Sequence, residues 1–261
     1  MFDLTALEDG LAGTIFAGKL HFALVTGSTN SDALAAARSS APHGSVYLAD
    51  EQLAGRGRGD HSWVSSAGEG IYVSVLLRPQ IPSSRLPLIP LAAGLAAAEA
   101  IRAASGLTID LRWPNDLLIG PRKAGGILVE SQTEGEMAAL TVTGIGINVH
   151  QRAFPDDLAT PATSLDLESG ERISRQALLV ELLKSLERET VAISDSALST
   201  TIPARVEQSS TWIRGRKVAV HGPRPCTGIS AGLDENGFLR VETAKGIVTV
   251  QTGGLREDNS L

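Results

Sequence analysis

Residues 86–104, LPLIPLAAGLAAAEAIRAA, are apolar on most faces of any helix they form. Such a helix has no polar stripe to turn toward water, so it has to be covered on several sides. The pattern predicts a helix from about Pro90 onward, buried against a sheet and halted by Gly106, whose missing Cβ permits the left-handed backbone common just past a helix end. Ahead of it, residues 70–77 alternate Ile71, Val73, Val75 and Leu77 with Tyr72, Ser74 and Leu76, the period of a strand, and Pro79 and Pro82 break the pattern.

The flanking segments fill in the layers. Residues 3–12 fit a short helix and residues 20–25 a strand, followed by the turn Gly27-Ser28-Thr29-Asn30 and a second helix through Ala33 and Arg38. Asn30 or Ser31 is its expected N-cap, since a short side-chain oxygen can accept from the unpaired N–H groups of a first turn. Further strands are expected at 45–50, 107–113, 126–131 and 137–149. In the last of these Gly144 and Gly146 strip one face of side chains, which signals a bulge or the close approach of another group. Residues 151–170 are expected to be a loop, and Ser174 to cap a helix over 175–193 whose Leu178, Leu179, Leu182 and Leu186 form one core-facing stripe.

Beyond Trp212 the chain changes character to short alternating runs, with Asn236-Gly237 and Lys245-Gly246 between them. Asn-Gly is the stronger two-residue hairpin signal, because both central positions need positive φ. So small an all-β module suggests an SH3-like barrel. The fold class expected is therefore α+β: a mixed-sheet domain with helices packed on it over 1–205, then a small SH3-like β-barrel over 213–261.

With 261 residues and 43% hydrophobic content the chain has material for a real core. A net charge of −6 argues against broad nucleic-acid binding, which needs a basic surface. Cys226 is the only cysteine, which excludes an internal disulfide and favours a reducing compartment. No apolar run reaches the roughly 18 residues of a membrane span, and the start MFDLTALEDG lacks signal-peptide features. A cytoplasmic protein without a membrane partner is expected.

Four places carry chemistry. The Gly27–Asn30 turn offers two hydroxyls and a carboxamide at a strand-to-helix junction, and Gln52 adds another amide. The segment 49–65, ADEQLAGRGRGDHSWVS, sets Arg56 and Arg58 among glycines and closes on Trp63, a mobile clamp for an anion beside an aromatic wall. RWPND then presents Asn115 and Asp116, and seven residues later Lys123 enters a glycine-rich strand where an ammonium has to find an anion or stay in water. Asn148 ends the glycine-bearing strand.

In this order the Ser-x-Asn turn, the GRGR loop with its trailing tryptophan, WPND with K-x-G-G-I-L-V-E, and GIGIN resemble the biotin protein ligases, over about residues 20–150. A weaker similarity to that family's SH3-like carboxyl-terminal domain covers about 213–256. The resemblance implies ATP-dependent conversion of biotin to biotinyl-5′-AMP and transfer of biotin to one lysine of a biotin carboxyl carrier domain, with Mg²⁺ accompanying ATP. It implies biotin contacts at Ser28, Thr29, Asn30, Gln52, Arg56, Gly57, Arg58 and Lys123, with Arg56, Arg58 and Lys123 as the catalytic cations. Gly55, Trp63, Asn115, Asp116 and Asn148 fall on the nucleotide side. Asp116 either orients Lys123 or helps to hold Mg²⁺, and the residues leave both open.

The loop departs from the family's GRGRRGR: Gly59, Asp60 and His61 stand where further positive charge is common. Some relatives pair through this region, so a homodimer is an open expectation here. Only about 20 residues precede the first catalytic strand, too few for a helix-turn-helix domain, and no DNA partner is expected. A lipoate or octanoate enzyme of the same fold is the nearest alternative, but the chain has no R-R-x-S-G-G-G segment and no cysteine candidate except Cys226. A non-catalytic biotin-binding module is the other.

Overall fold

The computed structural model describes residues 1–59 and 61–258. Its larger sheet contains β1 (Leu20–Thr26), β2 (Ser45–Gln52), β3 (Gly70–Leu77), β4 (Asp110–Arg112), β5 (Asp116–Ile119), β6 (Arg122–Glu134) and β7 (Met137–Asn148), in the order β1-β2-β3-β7-β6-β5-β4. β1 and β2 pair in parallel, while β2–β3, β3–β7 and β7–β6 are antiparallel. The helices are α1 (Leu4–Gly10), α2 (Thr29–Arg38), α3 (Leu88–Ser105), α4 (Leu165–Ser169), α5 (Arg175–Ser194), α6 (Ser196–Ser199) and α7 (Ile202–Gln208).

α3 is the buried helix that its composition demands. It begins at Leu88, two residues before the expected start, because Pro90 falls in the first turn, where the missing N–H has no intrahelical acceptor to lose. Gly106 ends it at φ 72°, donating to Arg102 O. Its 18 residues and mean hydropathy of 1.3 would suit a bilayer, contrary to the expectation that no such run exists; yet 61% of it is buried in this fold. Against it lies α5, capped as expected by Ser174 Oγ, which accepts from Ala177 N. Leu178, Leu179, Leu182 and Leu186 are all buried there.

Side chains alternate across a strand, so Ile145 and Ile147 of β7 point into this helical layer and Gly144 and Gly146 to the other face. On that other face α2 packs against β2, β3 and β7. It starts at Thr29 with Ser28 as a non-bonding cap residue, not at Asn30 or Ser31. Asn30 is unavailable for capping because its carboxamide is held by Ser74 and Glu130. The expected strand at 107–113 shrinks to β4, and an additional strand, β5, follows it: the chain turns at the cis Trp113–Pro114 peptide and returns antiparallel. Lys123 lies inside β6, which begins four residues ahead of the expected 126–131 strand. α4, capped by Ser164, interrupts the expected 151–170 loop.

The carboxyl-terminal strands are β8 (Arg214–His221), β9 (Cys226–Leu233), β10 (Leu239–Thr243), β11 (Gly246–Val250) and β12 (Gly254–Glu257), in the order β11-β10-β9-β8-β12. The expected SH3-like barrel is not formed. Among the described residues β11 and β12 stay on opposite edges of an open antiparallel sheet, without a ladder between them. The three residues between them, 251–253, cross from one edge to the other, and Thr252 and Gly253 give acceptors to Arg58 instead of to a closing strand.

Asn236-Gly237 is not a two-residue hairpin either. It lies in a longer loop between β9 and β10, where Asp234 Oδ1 accepts from Asn236 N and Phe238 N, and only Gly237 has positive φ. The two-residue turn is Ala244-Lys245, between Thr243 and Gly246. The Gly237 loop docks on the larger sheet's helical layer: Trp113 Nε1 donates to Gly237 O at 3.0 Å, and a Cβ at 237 would meet Leu91 and Leu88. Leu233, Leu239 and Val241 continue the same apolar cluster as α3.

Candidate active site

Ser28, Thr29, Asn30, Gln52, Arg56, Gly57, Arg58, Trp63, Asn115, Asp116, Lys123 and Asn148 line one cavity of about 760 Å³ on the face bared by Gly126, Gly144 and Gly146. Gly55 stands behind this wall. A Cβ there would overlap Trp63 O, and its own carbonyl accepts from Trp63 N. The bare face is explained by close approach: a Cβ on Gly144 would overlap the Asn30 carboxamide, and one on Gly146 would lie 2.6 Å from Trp63 Nε1.

At one end of the cavity short polar side chains from α2, β2 and β3 meet. Ser28, Thr29 and Asn30 are each 4–5% exposed. Thr29 N donates to Gln52 Oε1 at 2.9 Å, Thr29 Oγ1 and Ser74 Oγ are 2.7 Å apart, and Ser74 Oγ donates to Asn30 Oδ1 at 2.5 Å. Such a connected set holds its hydroxyls and amides against one another in place, which is what recognising a polar ring in a buried site requires.

Above it the glycine loop folds as a narrow hairpin. Gly57 N donates to His61 O at 2.7 Å and Trp63 N to Gly55 O at 2.8 Å. Gly57 allows the two arms to approach, since even a Cβ there would press on His61. His61 is exposed, and Asp60 lies outside the described residues. The two arginines part company. Arg56 forks onto the Glu130 carboxylate, at 3.1 and 2.5 Å. Arg58 instead reaches neutral acceptors, Thr252 Oγ1 at 2.6 Å and Gly253 O. Burial pulls the Arg58 guanidinium below the usual arginine range, while the charge of Asp116 opposes that shift.

The third wall is Lys123 on β6. Its Nζ lies 2.5 Å from Asp116 Oδ1 and 5.5 Å from the centre of the Trp63 ring. Arg112 holds the other Asp116 oxygen at 2.7 and 3.1 Å. Burial alone would raise the Asp116 carboxyl, but Lys123 and Arg112 outweigh it and hold the group below the ordinary carboxylate range. Lys123 N donates to Pro161 O, Thr163 N to Lys123 O, and Asn148 Nδ2 to Thr163 O at 3.0 Å, so one loop ties the Lys123 backbone and the Asn148 side chain. Asn115 is braced across β6 by Ile127 O at 2.7 Å.

Residues 22–148 match the model of the biotin/lipoate A/B protein ligase family. The bifunctional ligase/repressor BirA of Bacillus spizizenii is 35% identical over 94% of this chain and 76% of its own length. The chain belongs to the biotin protein ligase family. The biotin--[acetyl-CoA-carboxylase] ligase of Mycobacterium tuberculosis, another member, is 32% identical over 96% of this chain and 94% of its own. Among solved structures, the biotin protein ligase of Aquifex aeolicus in complex with biotin and ATP superposes with a TM-score of 0.77, at 28% identity, over 92% of this chain and all of that one.

Several residues of this family member's cavity were not singled out from sequence. Arg112 was visible as the first letter of RWPND and Glu130 as the last of K-x-G-G-I-L-V-E, yet neither has a role until Asp116, Asn30 and Arg56 are seen around them. Ser74 looked like an ordinary polar position of an alternating strand. Thr252, Gly253 and Gln151 had no local signal. Among the described residues the Oε1 atom of Gln151 and the indole N–H of Trp63, both buried at this cavity, have no hydrogen-bond partner.

Proposed function

We infer that this chain, an ATP-dependent biotin ligase, carries out both of its half-reactions in this one cavity. A carboxylate oxygen of biotin attacks the α-phosphorus of ATP, giving biotinyl-5′-AMP and pyrophosphate. The neutral amine of a carrier lysine then attacks the acyl carbon, and AMP leaves with the electron pair of the broken acyl–oxygen bond.

The observation that carries this is the placement of Lys123 and Arg58 between a polar pocket and an aromatic wall. Two anions have to meet there, so cations held in a low-dielectric site lower the barrier most, with about 3 kcal/mol lost per donor removed. Arg56 contributes little charge, because Glu130 neutralises it. Asp116 lies between Arg112 and Lys123, which leaves that trio with one net positive charge. Among the described residues the hydrogen-bond partners of Arg58 are the neutral acceptors Thr252 Oγ1 and Gly253 O, and in this reading its charge serves a ligand.

In this reading Ser28, Thr29, Asn30, Gln52 and the Gly57 backbone take the ureido ring. Lys123 and Arg58 take the carboxylate and the α-phosphate, and Trp63, Asn115 and Asn148 take the adenine. Trp63 Nε1 and Gln151 Oε1, which have no partner among the described residues, supply a further donor and acceptor in the same cavity. Asp116 serves as the orienting partner of Lys123, meeting it with Oδ1 while Arg112 holds Oδ2. Mg²⁺ then arrives as part of the triphosphate substrate. Among the described residues no three His, Cys, Asp or Glu side chains are grouped to hold a metal.

The test is biotin-dependent exchange of labelled pyrophosphate into ATP, with lipoate and octanoate in parallel. Exchange with biotin alone is expected. Biotin binding without exchange would make the protein a binding module, and equal exchange with lipoate would move it to the lipoate branch.

A further inference from the structure

We propose that Glu130 is a positioning residue for the biotin half of the cavity, joining its fixed floor to the glycine loop through Asn30 and Arg56. This rests on the ligase assignment for what the cavity binds, but the contacts themselves do not.

Glu130 sits on β6 at the same parity as Gly126 and Leu128, so its carboxylate stands on the cavity face, behind the residues that form the wall. One oxygen, Oε2, accepts from Asn30 Nδ2 at 2.9 Å and from Arg56 at 2.5 Å, and Oε1 takes the second arm of the Arg56 fork at 3.1 Å. Asn30 is thereby held at both ends. Its amide nitrogen faces Glu130 and its Oδ1 accepts from Ser74 Oγ, so it cannot turn over.

The same carboxylate seats the start of the loop through Arg56. The far end is held separately: Gln52 Nε2 donates to Ser65 Oγ at 2.8 Å, and Gln52 Oε1 accepts from Thr29 N. Floor and loop are therefore joined at both ends of the loop, by Gln52 at one and by Glu130 at the other. A half-exposed ion pair stabilises a fold only modestly, and Arg56 and Glu130 are 41% and 29% exposed. What the pair controls is geometry. A cyclic urea presents donors and an acceptor together, and an amide floor and a loop backbone in fixed register are what it selects.

Steady-state pyrophosphate exchange is measured for Glu130→Gln, Arg56→Gln and the double variant, with trypsin cleavage after Arg58 followed with and without biotin. Glutamine keeps the size and one acceptor but loses the fork. Glu130→Gln is expected to raise KM for biotin about tenfold, the scale of one hydrogen bond to a charged group. KM for ATP should stay within about twofold, and biotin should protect the loop from trypsin less well. The double variant should be no worse than the worse single one, because both remove the same link.

Unchanged KM for biotin, additive losses, or a parallel fall in kcat, ATP affinity and thermal stability would overturn the proposal. The trypsin arm needs no turnover, so wild-type protection in Glu130→Gln overturns it alone. Failure of the unmutated protein to exchange pyrophosphate would instead strike the ligase assignment.

Discussion

The Asn30 carboxamide occupies the space that a side chain on Gly144 would fill. These residues lie on α2 and β7, and the contact makes the absence of a Cβ on one strand residue a condition for the floor of the cavity. Gly144→Ala should displace Asn30 and break its bonds to Ser74 and Glu130, an overpacking cost of about 1–3 kcal/mol. Titration calorimetry should show biotin binding weakened by at least about fivefold, the same energy expressed as affinity. Gly146→Ala presses on Trp63 instead and should weaken ATP more than biotin.

Lys123→Ala removes a cation 2.5 Å from Asp116 while Arg112 still holds that carboxylate, so the fold should survive. Biotinyl-5′-AMP formation should fall by about 10²-fold or more, the loss typical of one preorganised donor. Rapid-quench measurement of adenylate checks this. A rate near wild type would reduce Lys123 to a local structural role.

Arg58 bridges the loop and the turn at Thr252 and Gly253. Arg58→Ala should loosen closure, raise KM for biotin and let adenylate escape before transfer. The ratio of free biotinyl-5′-AMP to labelled carrier should rise several-fold. A ratio equal to that of the wild type would separate the latch from retention of the intermediate.

Asp116 carries the pH prediction. Burial opposes its charge, but Lys123 and Arg112 hold its folded-state pKa below the ordinary carboxylate value. Its stabilising contribution is therefore fully present above about pH 4, the unfolded value, and is lost as pH falls through the depressed folded value. Denaturant unfolding at neutral pH should show Asp116→Asn clearly less stable than wild type, with the gap narrowing in acid. A gap independent of pH would mean that charge is not what Asp116 contributes.

How much of this was legible depends on sequence distance. The strand of residues 70–77, the α5 cap at Ser174 and the mostly apolar α3 follow from periodicity and local capping chemistry, and all three are present. β5 was hidden because WPND looked like a strand end, and the turn at Pro114 that sends the chain back is not a periodic signal. The barrel expectation failed because strand count and spacing say nothing of edge pairing; here the 251–253 turn gives its acceptors to Arg58, 195 residues away from Gly253.

The sequence alone specified which residue types the site has to contain: two arginines on a glycine loop, a lysine on a glycine-rich strand, and hydroxyls and amides at a helix start. Each of those signals is confined to a few residues of chain, where backbone geometry leaves little choice. Tertiary structure decided how the charges are spent. Glu130 meets Asn30 across 100 residues and Arg56 across 74, and that meeting pairs Arg56 with a carboxylate while Arg58 reaches Thr252 and Gly253. Electrostatic roles depend on distance in space, and chain order does not encode that distance for groups brought together by a sheet.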